Sequence, residues 1–210
     1  AFGLERVAIV DFDVHHGNGT QQAFYDDPSV LFISLHQSRL FPRDSGTVEE
    51  IGEGRGRGAN INIPLPMGSG WGAYFAAFER IVLPSLRAFR LELILVSSGF
   101  DASSYDPLGR MALSSHTYRR FTKDLMAVAD EFCNGRLVMA HEGGYSSAYV
   151  PFCGLAVMEQ LSGIATECVD PFGDRIDAWD YQELQAHQGA AIIAAETAIR
   201  AAKPELLAAR

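Results

Sequence analysis

The sequence predicts an α/β fold of three layers, an open and mostly parallel sheet with helices on both faces. Three observations carry this. Apolar runs of strand length recur at 7–10, 30–36, 91–98 and 136–141, and strands apolar on both faces belong in covered parallel sheets. Segments of helical period separate several of them, which gives the alternation of parallel α/β units. Ligand-type side chains follow directly on strand ends, where such sheets bind what they bind.

In chain order, 7–10 is the first strand and Gly17-Asn18-Gly19 breaks it. Residues 20–25 read as a short helix closed by Asp26-Asp27-Pro28, and 30–36 as a buried strand ending at His36. From 37 to 59, Pro42, an Asp44-Ser45-Gly46 turn and four spaced glycines leave no periodicity, so this is a long loop. Asn60-Ile61-Asn62-Ile63 alternates as a strand, expected to stop before Pro64. Tyr74, Phe78, Ile81, Val82 and Leu86 mark a helix over 71–89, bent at Pro84. Strand 91–98 meets Gly99-Phe100-Asp101, and a helix over 115–134, capped by Ser114 or Ser115, ends at Gly135. Strand 136–141 carries Glu142-Gly143-Gly144-Tyr145 at its tip. Helices over 149–164 and 181–202 close the chain, with 168–178 as a linker between them.

The chain has 210 residues, enough for one core. Seventeen basic against 26 acidic residues give a net charge of −9 with no Lys/Arg cluster, which argues against nucleic acid or an anionic membrane as a direct partner. The acidic balance favours a cationic substrate. Cys133, Cys153 and Cys168 lack zinc-finger or CxxC spacing, and an odd count fits a reducing compartment. No run reaches membrane-spanning length, so a cytoplasmic location is expected.

The stretch Asp11-Phe12-Asp13-Val14-His15 organises the chemistry. If the strand continues through it, Asp11, Asp13 and His15 share one face and Phe12 and Val14 the other. Two carboxylates side by side are costly to bury without a cation. The tip of the 91–98 strand adds Asp101, and that of 136–141 adds Tyr145. Two carboxylates and one imidazole make a three-ligand set with open coordination positions, the pattern of a catalytic rather than a structural site. His16 would face away from His15 as a structural residue, and His36, His116, His141 and His187 are read as ordinary surface or core histidines.

Asp11-x-Asp-x-His-His-Gly-Asn-Gly-Thr20, Ser34-Leu35-His36, Phe41-Pro42, Gly99-Phe100-Asp101, Asp106-Pro107-Leu108 and Glu142-Gly143-Gly144-Tyr145 together resemble the zinc-dependent histone deacetylases. Class II and the bacterial histone deacetylase-like amidohydrolases are nearest, over about residues 5–165. The resemblance implies an arginase/deacetylase-like fold and hydrolysis of an acetyl-lysine or similar acylated amine. It implies Zn²⁺ on Asp13, His15 and Asp101, with Tyr145 as oxyanion donor and Gly143 and Gly144 letting the backbone turn closely. Asp11 would orient a catalytic histidine and share a structural K⁺ with carbonyls of Asp13 and His15 and with Ser34 and Leu35. Asn18 would partner the neighbouring catalytic histidine. Phe24, Asp27 and Val30 match a second monovalent-cation loop. Phe41 would line the acyl-lysine channel and Leu108 its base.

The family's mechanism also uses an adjacent histidine pair upstream of the aspartate-rich motif, and here the one adjacent pair is His15-His16. The chain therefore reads as the carboxyl-terminal portion of such a domain: 1–170 from the domain itself, 171–210 a linker and final helix packed on it. An N-terminal segment, or a homo-oligomeric partner, would cover the apolar edge this leaves. Proton transfer would be impaired, so this chain is expected to bind metal and turn over weakly. An acetylpolyamine deacetylase, or a non-catalytic metal-binding homologue, are the competing readings.

Overall fold

The computed structural model describes residues 3–208. Five parallel strands form one sheet, β1 (Val7–Asp11), β2 (Val30–Gln37), β3 (Asn60–Leu65), β4 (Leu93–Ser98) and β5 (Leu137–His141), in the order β3-β2-β1-β4-β5. Their tips point the same way, so β1 sits centrally with the β4 tip on one side and the β2 tip on the other. The helices are α1 (Asn18–Ala23), α2 (Trp71–Ala77), α3 (Leu83–Phe89), α4 (Ser115–Cys133), α5 (Val150–Ser162), α6 (Gly173–Asp177) and α7 (Ala186–Ala202).

The α/β class and the parallel sheet are as expected, while several bounds moved for physical reasons. β3 runs through Pro64, which pairs with His36. The strand lies at the sheet's edge, where a missing N–H leaves no ladder bond unmade. The helix expected over 71–89 is split by a π-helical stretch, Phe78–Val82. Pro84 then stands in the first turn of α3, where its lack of a donor costs nothing. The 168–178 linker contains α6. The last helix begins at Ala186 rather than near 181, because Tyr181 is left-handed (φ 69°) and Gln185 with Gln188 forms a reciprocal cap.

The two faces of the sheet are filled unequally. Ala8, Val10, Leu31, Ile33, Leu35, Ile94 and Val96 enter the main core, and residues of α2, α3, α4 and α7 pack there too. The alternate positions Ile9, Val30 and Phe32 form a small second cluster with Phe24 and Leu95. Phe121 centres the main core, stacked on Phe78 at 4.3 Å and tilted against Phe12. Ile192, Ala195 and Ile199 of α7 join the same core. At the far edge, β5 leaves Val138 55% exposed.

Candidate active site

The β1 ladder stops at Asp11, four residues short of the His15 that a strand carrying Asp11, Asp13 and His15 on one face would have to reach. Phe12 and Val14 still enter the main core, anchoring the turn, while Asp13 and His15 face away from it. Asp11 falls outside the cluster its neighbours form. Its Oδ1 instead accepts the Asp13 amide at 3.0 Å, and burial, then the Asp13 charge, push its carboxyl well above the ordinary range.

Asp13, His15 and Asp101 converge, one ligand atom from each lying within 4.8 Å of the others. His15 Nδ1 is 3.0 Å from Asp13 Oδ1 and 3.1 Å from Asp101 Oδ2. Backbone amides aim both carboxylates: Val14 donates to Asp101 Oδ1 at 2.7 Å and Gly143 to Asp13 Oδ2 at 2.8 Å. Hydrogen bonds to Asp101 and then to Asp13 hold the imidazole's pKa up at about 10. A divalent cation held between them would neutralise both carboxylates.

The set fits a divalent ion on steric grounds as well. A Cβ on residue 143 would land on the carboxylate oxygens of Asp101 and Asp13, so only glycine brings that amide to the ligands. Gly144 follows at φ 140°, a conformation that side chains rarely adopt. Imidazole nitrogen with two carboxylate oxygens suits Zn²⁺, and three protein ligands leave room for water and substrate.

Two aromatic rings flank the cluster. Phe41, 66% exposed, and Tyr145, 52% exposed, each stand 6.4 Å from the His15 ring and edge-on to it. Asp106 Oδ2 takes the Tyr145 amide at 2.7 Å, and its Oδ1 takes the amide of the exposed Leu108 at 2.8 Å. Burial, then the charges of Asp101 and Asp13, raise the Tyr145 pKa, so its hydroxyl stays a donor. Behind the cluster lies a cavity of about 220 Å³ lined by Asp11, Asp13, His15, Ser97 and Glu142.

Other expected residues lie further off. Asn18 is exposed at the start of α1, and its side chain has no hydrogen bond among the described residues. Ser34 stands opposite Asp11 in the β1–β2 register and bonds His36 Nδ1 through Oγ at 2.9 Å; Leu35 is fully buried beside it. Phe24, Asp27 and Val30 form a tight turn through Asp27 N–H to Phe24 O and Val30 N–H to Asp27 O. His16 is buried and bonded to Ser45 and Gln21, as befits a structural histidine. Sequence reading missed Asp106 as the tether of Tyr145. It also missed Gln21, Glu50, Asn60 and Asn62, which surround His16.

The histone deacetylase domain matches residues 1–161. The chain belongs to the histone deacetylase family. A "histone deacetylase-like amidohydrolase" of Pseudomonas aeruginosa is 50% identical over 175 residues, covering 83% of this chain and 46% of that one. "Histone deacetylase clr3" of Schizosaccharomyces pombe is 44% identical over 166 residues, covering 77% of this chain and 24% of that one. Among solved structures, the histone deacetylase Clr3 superposes with a TM-score of 0.84 at 36% identity, covering 97% of this chain and 33% of its own. The HDA15 HD domain superposes with a TM-score of 0.83 at 32% identity, covering 97% and 52%. The histone deacetylase fold and membership in a family of hydrolases are thereby shown. The chain spans less than half the length of both curated relatives. No described helix is long and apolar enough to cross a membrane.

Proposed function

We propose that this chain carries the zinc site of an amidohydrolase that removes the acyl group from an acetyl-lysine or a similar acylated amine. One observation carries the reading: Asp13, His15 and Asp101 meet within 4.8 Å beside the ring of Tyr145. Bound by these three residues, Zn²⁺ supplies Lewis acidity for the acyl carbonyl and lowers the pKa of a water.

The remaining work falls to the chain's own groups. The Tyr145 hydroxyl, kept protonated, donates to the acyl oxygen as negative charge gathers on it. The Phe41 and Tyr145 rings, each edge-on to His15, are the proposed walls of a slot for the acyl-lysine stem, with Leu108 proposed for its base. The amides of Val14 and Gly143 hold Asp101 and Asp13 in place.

A structural K⁺ is proposed for Asp11, with Ser34, Leu35 and the carbonyls of Asp13 and His15. Asp11 is a buried carboxylate with no basic side chain bonded to it among the described residues, a cost that a monovalent cation relieves. Asn18 is proposed to partner a catalytic histidine. The exposed β5 edge is the proposed docking face for a further segment or a second subunit. The free thiols of Cys133, Cys153 and Cys168 accord with a reducing, cytoplasmic setting.

General acid–base catalysis contributes about 10²- to 10⁴-fold, so without a second histidine pair turnover is expected to be weak. The test is a zinc titration of the purified chain alongside release of acetate from an acetyl-lysine peptide and from acetylspermidine. One zinc per chain, lost in Asp101→Asn, with slow acetate release that Tyr145→Phe abolishes, supports the reading. Zinc binding with no release at any enzyme concentration favours the non-catalytic homologue. Absence of stoichiometric zinc overturns both.

A further inference from the structure

Beneath Phe41 lies a polar network that no part of the proposed chemistry uses. His16 donates its backbone N–H to Phe41 O at 3.1 Å, so the chain that presents Phe41 hangs from the residue next to His15. The His16 ring is clamped on both nitrogens, by Ser45 Oγ at 2.8 Å and Gln21 Oε1 at 3.1 Å. Gln21 Oε1 also accepts from Asn60 Nδ2 at 2.9 Å and Asn62 Nδ2 at 2.8 Å. Gln21 Nε2 donates to Glu50 Oε2, and the same carboxylate closes its own loop through the amides of Gly46 and Thr47.

The charges fix the direction of every bond in this chain. A carboxylate only accepts, so Glu50 forces the Gln21 amide to turn its NH₂ outward and its oxygen toward His16. That oxygen in turn requires His16 to carry its proton on Nε2 and to accept from the Ser45 hydroxyl on Nδ1. A neutral group at position 50 would deprive Gln21 Nε2 of its anionic acceptor and leave the Gln21 oxygen to Asn60 and Asn62 alone, loosening its hold on the His16 ring. Burial pushes the Glu50 carboxyl up, yet the bonds from Gln21, Gly46 and Thr47 together hold it below the ordinary range.

We propose that Glu50 is a positioning residue: through Gln21 and His16 it holds the Phe41 wall of the slot at its distance from His15. The inference rests on the acyl-amine reading for its purpose, and its geometry can be tested apart from that reading. The zinc-loaded full chain is compared with Glu50→Gln and Gln21→Met, the second cutting the link while sparing the Glu50 loop. Residue-resolved amide exchange is read at His16, whose N–H is the bond to Phe41, and at Ile94 in the sheet, which donates to Arg136 O. Exchange at His16 is expected to accelerate about tenfold in both variants with Ile94 unchanged, the pattern of a local opening. The ¹⁵N shifts of the His16 ring are expected to lose their single-tautomer values. Affinity for an acetyl-lysine peptide is expected to fall about tenfold, with zinc affinity held within about twofold.

If His16 exchanges as in the parent, or if Ile94 accelerates equally, the proposal is overturned. Should Glu50→Gln fail to fold, Gln21→Met alone decides by the same readings. If His16 responds as expected while the parent chain binds no acetyl-lysine peptide, the positioning holds and the acyl-amine reading fails.

Discussion

His15 Nδ1 lies 3.1 Å from Asp101 Oδ2, although 86 positions separate the two residues. Nothing local brings them together. The β1 and β4 strands are neighbours in register, Asp11 against Ser97, so the turns leaving their tips open side by side. Phe12 and Val14, fully buried, pin the first turn, and Phe100, 5% exposed, pins the second. The packing of three apolar side chains thus sets the spacing of three polar ones.

Gly143 is the first place to test that spacing. A methyl group there meets the oxygens of both carboxylates, so Gly143→Ala must displace the amide that holds Asp13. Loss of a hydrogen-bonded support of this kind weakens metal binding about 10- to 100-fold. A zinc competition titration checks this, with far-UV circular dichroism to show the sheet intact. Parent-like zinc affinity would mean that the Gly143 amide and the two carboxylates are not a single constructed unit.

Phe121 tests the core under the site. It is fully buried, stacked on Phe78 at 4.3 Å with the rings 4° from parallel, and in contact with Phe12, which anchors the ligand turn. Phe121→Ala is expected to cost about 3–5 kcal/mol, the range for a buried ring cut to a methyl. At roughly 2–4 °C per kcal/mol for a chain this long, the thermal midpoint should fall by about 6 °C or more. Differential scanning calorimetry reads it, and a shift under 2 °C would contradict a central role for this ring.

Much of this could be read from the residues, and the failures have causes. The five strands were legible because both faces of β1 and β2 are apolar, and the ligand set because parallel strands deliver their tips to one edge. The course of β3 was not, since tolerance of Pro64 depends on an edge position that only the assembled sheet reveals. The Gln21–Glu50–His16 network left only a trace: Asn60 and Asn62 alternate with Ile61 and Ile63 on one strand, so polar groups are buried at every second position. Such alternation ordinarily marks a solvent face, and here a loop covers it. Asp106 gave no warning of this role, because its task is to hold three backbone amides, those of Leu108, Gly109 and Tyr145.

Asp170 tests how the last third of the chain is tied down. Its Oδ2 accepts from Ser115 Oγ at 2.6 Å and Tyr149 OH at 2.9 Å, and its Oδ1 from the Phe172 amide at 2.8 Å. Three donors from α4, the start of α5 and the approach to α6 therefore meet on one carboxylate. Asp170→Asn replaces one acceptor with a donor facing a donor, at a cost of about 1–3 kcal/mol. Proteolytic cleavage within 163–185 should quicken in the variant while the zinc site is unchanged. Equal cleavage rates would show that the segment is held by Phe172 and its aromatic neighbours instead.

Glu159 gives a pH dependence with a definite sign. Bonds from the Thr166 hydroxyl, then Arg119, then the Thr166 amide hold its carboxyl down at about 2, against an ordinary 4.5. A group whose folded pKa is depressed stabilises the fold above its unfolded pKa, and that contribution drains away as pH falls toward the folded value. The parent should therefore melt above Glu159→Gln at pH 7, with the gap narrowing from pH 4.5 down toward 2. Other carboxylates titrate in the same window, so the difference between the two proteins is the quantity to follow. A gap that stays constant from pH 7 to pH 3 would assign the effect of Glu159 to packing rather than charge, since packing does not titrate.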